Sequence, residues 1–183
     1  MKTGVILARF QPLHNGHMAL IKMACEENER VLILVGSADK FNKRNPIPID
    51  IRLAYVKEAI EAEGLSNKVV IQPLDDYTSE EDNSHDWGFY LYAYIVNLIG
   101  QSTFTMYYSD GYELFVSWFP QFVMAKYVSV KLLARAATVN GLSATEVRNK
   151  ILKCEDVRDL VPASVDNRIE LIRSLIKGLE NTK

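Results

Sequence analysis

The chain has 183 residues, 48% of them apolar and 24% charged, which excludes a disordered polypeptide. A globular chain of this length buries roughly 70% of its unfolded surface without disulfide or metal staples. Lysine and arginine number 21 against 23 aspartates and glutamates, a formal charge of −2, which argues against a protein that grips nucleic acid through bulk positive charge.

Residues 4–8 read as a buried strand. Residues 15–27 place Met18, Ile21, Lys22 and Cys25 at helical spacing, and Leu20 and Ala24 widen the apolar face. Val31-Leu32-Ile33-Leu34-Val35 reads as a second strand, stopped by Gly36-Ser37. A helix is expected over 49–63, with Pro46 and Pro48 before it and Gly64 after it. Residues 69–71 form a third strand. The acidic, turn-rich stretch 75–86 reads as a solvated loop or a lid over a site. The apolar run 89–96 reads as core helix rather than an oligomer face. Residues 104–108 and 128–130 supply a fourth and a fifth strand, and helices over 144–152 and 165–179 complete the pattern. Alternating strands and helices imply a parallel sheet covered on both faces by right-handed crossovers. The expected fold is therefore α/β, a Rossmann-like doubly wound sheet with C-terminal helices. One domain is expected over 1–183, with an α/β core to about 140 and a helical part beyond it.

Cys25 and Cys154 have no metal-type spacing and read as reduced, packed thiols. The run 89–96 is far below the ~20 residues that span a bilayer, and the short apolar run at the N-terminus ends in a charge. No membrane partner is expected, and the expected location is the cytoplasm.

In doubly wound sheets the ligand crevice lies outside the carboxyl ends of the strands. The loops to read are then 9–17, 36–48, 73–87 and 108–111. The first carries the most chemistry: Arg9-Phe10-Gln11-Pro12-Leu13-His14-Asn15-Gly16-His17. A helix N-terminus offers N–H groups and partial positive charge to phosphate. Gly16 lets a ligand approach the backbone. His14 and His17, two of three histidines in the chain, project to one side of the first helical turn. A lone histidine there would merely cap the helix. Near the C-terminus, Ser143 with Glu146 three residues on is a capping box, and Arg148 lies one turn along the same helix.

These segments resemble the nucleotidyltransferase superfamily that carries His-x-Gly-His. Within it, the chain is similar to the nicotinamide-nucleotide adenylyltransferases, and in particular to the adenylyltransferase domain of bifunctional enzymes with a Nudix hydrolase. No Nudix box is present, and no Nudix domain is expected. Leu142-Ser143-Ala144-Thr145-Glu146-Val147-Arg148 matches the second superfamily motif, with Ala144 where glycine or another small residue is usual. Gly36-Ser37-Ala38 with Lys43-Arg44-Asn45-Pro46 resembles the segment near the mononucleotide phosphate. Asp76-Tyr77, Asn83 and Trp87 resemble the loop that holds the nicotinamide ring.

The resemblance implies catalytic roles for His14, His17 and Arg148. It implies ATP contacts from Arg9, Phe10, Gln11, Gly16, Ser143, Thr145 and Asp110. Gly36, Ser37, Arg44, Asn83 and Trp87 would hold the mononucleotide: Arg44 by its phosphate, Asn83 by the carboxamide and Trp87 by stacking on the cationic ring. The family's glutamate before Arg52 is absent, and Arg52 itself reads as a helix-surface charge. Met106-Tyr107-Tyr108-Ser109-Asp110 keeps only the aspartate of a Gly-His-x-x-Asp pattern. Phe119-Pro120-Gln121-Phe122 reads as packing. The implied reaction transfers AMP from ATP to nicotinamide mononucleotide, giving NAD and pyrophosphate. Mg²⁺ would accompany ATP without a dedicated protein metal site, and a homo-oligomer is expected. Two alternatives remain at this level: transfer to another phosphorylated acceptor such as phosphopantetheine, and a nucleotide-sensing module without turnover.

Overall fold

The computed structural model describes residues 1–109, 112–133 and 141–180. Among these, strands β1 (Thr3–Ala8), β2 (Arg30–Val35), β3 (Val69–Pro73), β4 (Phe104–Tyr108) and β5 (Val128–Leu132) form one parallel sheet. Their order is β3-β2-β1-β4-β5. The chain winds outward from β1 through β2 to β3, then returns to the other side of β1 for β4 and β5. The connection reverses between β1 and β4, so the topological switch point lies at the carboxyl ends of these two strands.

Side chains alternate across the sheet and build two cores. Ile6, Val31, Ile33 and Val35 face α1 (Asn15–Glu27), α2 (Ile49–Ala62) and the C-terminal helices. Val5, Leu32, Leu34 and Met106 face α3 (His85–Ile99), α4 (Tyr112–Trp118) and α5 (Gln121–Lys126). The strands are thus apolar on both faces, which is why they read as continuous runs. The run 89–96 lies within α3 and contributes Leu91 and Ile95 to the second core, while Phe89 stays exposed. Helices α3 and α4 approach closely at Gly88, where a Cβ would lie 1.7 Å from the Trp118 carbonyl oxygen.

The single helix expected over 165–179 is divided into α7 (Ala163–Asp166) and α8 (Ile169–Glu180), after α6 (Ala144–Leu152). Pro162 starts α7, and the break at 167–168 lets Ile172 and Ile176 reach the first core while Arg168 pairs with Glu58 of α2. Cys25 is buried as expected, whereas Cys154 is exposed just beyond α6, with φ at 58°. Phe119 packs in the second core, but Phe122 is 64% exposed on the outside of α5, so only the first half of that segment is packing. Arg52 is the largest departure: it is not a surface charge but is 0% exposed, beneath the crevice. Among the described residues no helix is long and apolar enough to cross a membrane.

Candidate active site

The loop after β1 turns sharply into α1. Phe10 takes a left-handed φ of 50°, a conformation that costs a residue with a Cβ roughly 1–2 kcal/mol. Three contacts hold this turn. The Phe10 ring is buried, its carbonyl accepts from the Tyr55 hydroxyl, and the Gln11 amide clamps Ile47. In that clamp Gln11 Nε2 donates to the Ile47 carbonyl at 3.0 Å and Gln11 Oε1 accepts from the Ile47 N–H at 2.9 Å. The Gln11 side chain is thereby committed to joining the first loop to the second.

His14 is the N-cap of α1 and His17 its third residue, and the two form a capping box. The His14 N–H donates to His17 Nδ1 at 3.3 Å. In that bond Nδ1 accepts, so in a neutral His17 ring the proton sits on Nε2. The imidazoles stack at 3.7 Å between centroids, and Phe10 packs against His17 at 4.9 Å. His17 is therefore held between two rings in one orientation. Gly16 is buried in the same helical turn.

The C-terminal helices close over this loop. The Asn15 N–H donates to the Leu160 carbonyl at 2.9 Å, and Asn15 Nδ2 donates to the Asp159 carbonyl at 3.0 Å. Arg148 Nη1 donates to the Gln11 carbonyl at 2.5 Å, and its Nη2 to Thr145 Oγ1 at 3.3 Å. Ser143 caps α6 as expected: its Oγ accepts from the Glu146 N–H at 3.2 Å and donates to Glu146 Oε2 at 2.7 Å. The result is a cavity of about 220 Å³ in which both sequence motifs meet. Arg9, His14 and His17 line one side, and Ser143, Thr145 and Arg148 the other.

Two guanidiniums dominate the electrostatics. Burial, and then the adjacent Arg44, lowers the pKa of Arg9. Burial, and then Arg9, lowers that of Arg148. Desolvated like charges that face one cavity are poised for an anion rather than for each other.

The second predicted group lies beside this cavity. Gly36 follows β2, and Ser37 has a left-handed φ of 47° and donates from Oγ to Asp76 Oδ1 at 3.1 Å. Asp76 has its pKa raised, foremost by burial. Arg44 is exposed and lies 3.7 Å from both Glu80 and Glu81. Glu80 accepts from Asn45 Nδ2 at 2.8 Å and also from Asn42, so the acidic loop is pinned over the turn that carries Arg44. Trp87 is 7% exposed and packs edge-on to Trp118, and Trp118 Nε1 donates to Asn83 Oδ1 at 3.2 Å. In this structure the Trp87 ring is core, and Asn83 is turned to an indole. Trp118, Asn45 and Glu80 are site neighbours given no role by the sequence reading; Asn45 and Glu80 lie within segments it singled out, while Trp118 reaches Asn83 from the distant end of α4. Asp110 lies outside the described residues. Among the described residues no group of three His, Cys, Asp or Glu side chains gathers as a metal site.

The sequence and the fold have relatives among known proteins. Residues 5–150 match the family described as cytidylyltransferase-like. The nicotinamide-nucleotide adenylyltransferase of Thermococcus kodakarensis is 30% identical over 190 residues, covering 100% of this chain and 88% of the relative. That of Thermococcus onnurineus is 29% identical, covering 100% of this chain and 87% of the relative. A solved structure of the bifunctional NMN adenylyltransferase/ADP ribose pyrophosphatase of Francisella tularensis, complexed with AMP and a manganese ion, superposes with a TM-score of 0.77 at 20% identity. The superposition covers 97% of this chain and 51% of that one, so the chain spans about half the length of the bifunctional enzyme.

Proposed function

The chain belongs to the cytidylyltransferase-like family, and from that membership we propose that it is a nicotinamide mononucleotide adenylyltransferase. It transfers AMP from ATP to nicotinamide mononucleotide and releases pyrophosphate. The observation that carries the site assignment is the cavity shared by the two motifs, in which Arg9 and Arg148 face two imidazoles at a helix N-terminus.

The 5′-phosphate of the mononucleotide attacks the α-phosphorus of ATP in line. A new P–O bond forms, the bond to the bridging α–β oxygen breaks, and pyrophosphate leaves with that electron pair. The nucleophile is already anionic at neutral pH, since the second phosphate pKa is about 6, so no general base is needed. Catalysis then consists of positioning and charge stabilisation. His17 Nε2–H and His14 donate to phosphate oxygens as charge moves toward the leaving group. Arg148 and Arg9 balance the β- and γ-phosphates. Ser143 and Thr145 border them at the start of α6, and Phe10, Gln11 and Gly16 shape the loop. A divalent cation would accompany ATP, bound by its phosphates rather than by a protein site, and would offset charge on the phosphate oxygens.

Gly36, Ser37 and Arg44 receive the mononucleotide phosphate, and Asn83 and Trp87 its ring. Trp87 and Asn83 are engaged with Trp118 in this structure, so stacking on the ring requires the segment around 83–87 to repack. The reading includes self-association, supported by Phe89, Val116 and Phe122, each at least 45% exposed on α3, α4 and α5.

The test is pyrophosphate release from magnesium ATP with a panel of acceptors. Release with nicotinamide mononucleotide, and not with phosphopantetheine or with ATP alone, is the expected result. Release only with phosphopantetheine, or with no acceptor at all, overturns the reading.

A further inference from the structure

Arg52 sits near the start of α2, and its guanidinium makes no hydrogen bond to a carboxylate among the described residues, Asp76 acting on it only from a distance. Its partners are main-chain carbonyls instead. Nη1 donates to Arg9 O at 3.0 Å and Gly36 O at 2.7 Å, and Nη2 donates to Ser37 O at 2.9 Å. The first carbonyl belongs to the loop after β1, and the other two to the loop after β2. These are the loops that carry the proposed triphosphate and mononucleotide contacts.

The peptides that Arg52 holds adjoin both left-handed turns of the site. Phe10, with φ 50°, follows the Arg9 carbonyl, and Ser37, with φ 47°, follows the Gly36 carbonyl. In a trans peptide the C=O and the next N–H point in opposite directions. Fixing the carbonyls of Arg9 and Gly36 on the guanidinium therefore turns the N–H groups of Phe10 and Ser37 away from it. Backbone N–H groups around a left-handed residue form a concavity suited to anions. Arginine fits the task because its fork is planar, carries five donors and stays charged when buried. Its direct partners are carbonyls, and Asp76 acts on its charge only from a distance.

We propose that Arg52 is a positioning residue for the transfer: one buried guanidinium locks the two substrate loops together and so fixes the distance between the attacking phosphate and the α-phosphorus. The role rests on the adenylyltransferase reading above. It acts on the alignment of two bound substrates more than on the binding of either. A misplacement of about 1 Å between reacting groups costs about 10²-fold in rate. Lysine keeps the charge but presents a single ammonium, which cannot hold three carbonyls of two loops in one plane.

The experiment uses the full chain with Arg52→Met and Arg52→Lys. Circular dichroism and thermal melting establish folding, steady-state assays give kcat and both KM values, and calorimetry gives the ATP dissociation constant. The expected result is a kcat per folded molecule about 10²-fold lower in Arg52→Met and at least tenfold lower in Arg52→Lys, with ATP affinity within threefold of wild type. A purely structural arginine would lower the melting temperature and leave kcat of the folded protein unchanged, which overturns the proposal. If Arg52→Met does not fold, Arg52→Lys decides by the same criterion, and failure of both to fold assigns Arg52 to stability alone. A wild-type protein that releases no pyrophosphate with nicotinamide mononucleotide overturns the adenylyltransferase reading, and this role with it. An active wild type with unaffected variants overturns only the role of Arg52.

Discussion

Replacement of His17 by alanine separates chemistry from architecture. The His17 ring is fixed by stacking on His14 at 3.7 Å, by Phe10 at 4.9 Å and by the bond from the His14 N–H to Nδ1. Its Nε2–H is therefore a preorganised donor, which needs no reorientation as charge develops. Removing one such donor costs about 10²–10³ in kcat, or about 2.7–4 kcal/mol of transition-state stabilisation. The structural loss is smaller. The His14 N–H loses one acceptor in a partly solvated capping box, worth about 1 kcal/mol, which lowers the melting temperature of a chain this size by about 2–4 °C. The assay is pyrophosphate release at saturating magnesium ATP and mononucleotide, beside a thermal melt. A folded His17→Ala protein with kcat within threefold of wild type would remove the imidazole from the mechanism. A fall in activity that tracks the loss of folded protein would assign His17 to helix capping.

Arg148→Met is expected to raise the KM for ATP at least tenfold and leave the mononucleotide KM nearly unchanged, since Arg148 reaches the cavity from the α6 side only; equal effects would place it between the substrates. Glu80→Gln is expected to lower the mononucleotide KM by up to about fivefold, the equivalent of a partly exposed ion pair of ~0.2–1 kcal/mol, because its carboxylate competes with phosphate at Asn45 and Arg44; an unchanged KM would mean that the acidic loop does not cover the subsite. Trp87→Ala opens a hole in the second core and is expected to cost about 3–5 kcal/mol of stability, so the binding test uses Trp87→Phe, which is expected to raise the mononucleotide KM and spare that of ATP. Gly88→Ala is expected to destabilise by about 1–3 kcal/mol, read as a melting temperature lower by several degrees, because its Cβ meets the Trp118 backbone; an unchanged melt would show that α3 and α4 separate freely.

The fold was legible where local pattern and burial agree. Val31-Leu32-Ile33-Leu34-Val35 is apolar at every position because both faces of β2 are covered, and such a run is too short for a helix of typical length. The capping box at Ser143 was legible for the same reason, since its partners lie three residues apart. The break between α7 and α8 was not. Val165, Ile169, Ile172 and Ile176 keep helical spacing across it, and the contact made at the break, Arg168 with Glu58, spans 110 residues of sequence.

The site shows the same division more sharply. The His-x-Gly-His loop could be read because its function lies within one turn of one helix. Arg52 could not, since a lone arginine on a helix whose neighbours are Asp50, Glu58 and Lys57 has the signature of a solvated face. Its acceptors are carbonyls 15, 16 and 43 residues away, and a carbonyl is present at every position of the chain. Main-chain acceptors leave no trace in residue identity, whereas a buried arginine paired with a carboxylate would leave a second charged residue to find. The trace appears only in the structure: Phe10 and Ser37 adopt left-handed turns without glycine, and a fold tolerates such strain only where its surroundings over-determine it.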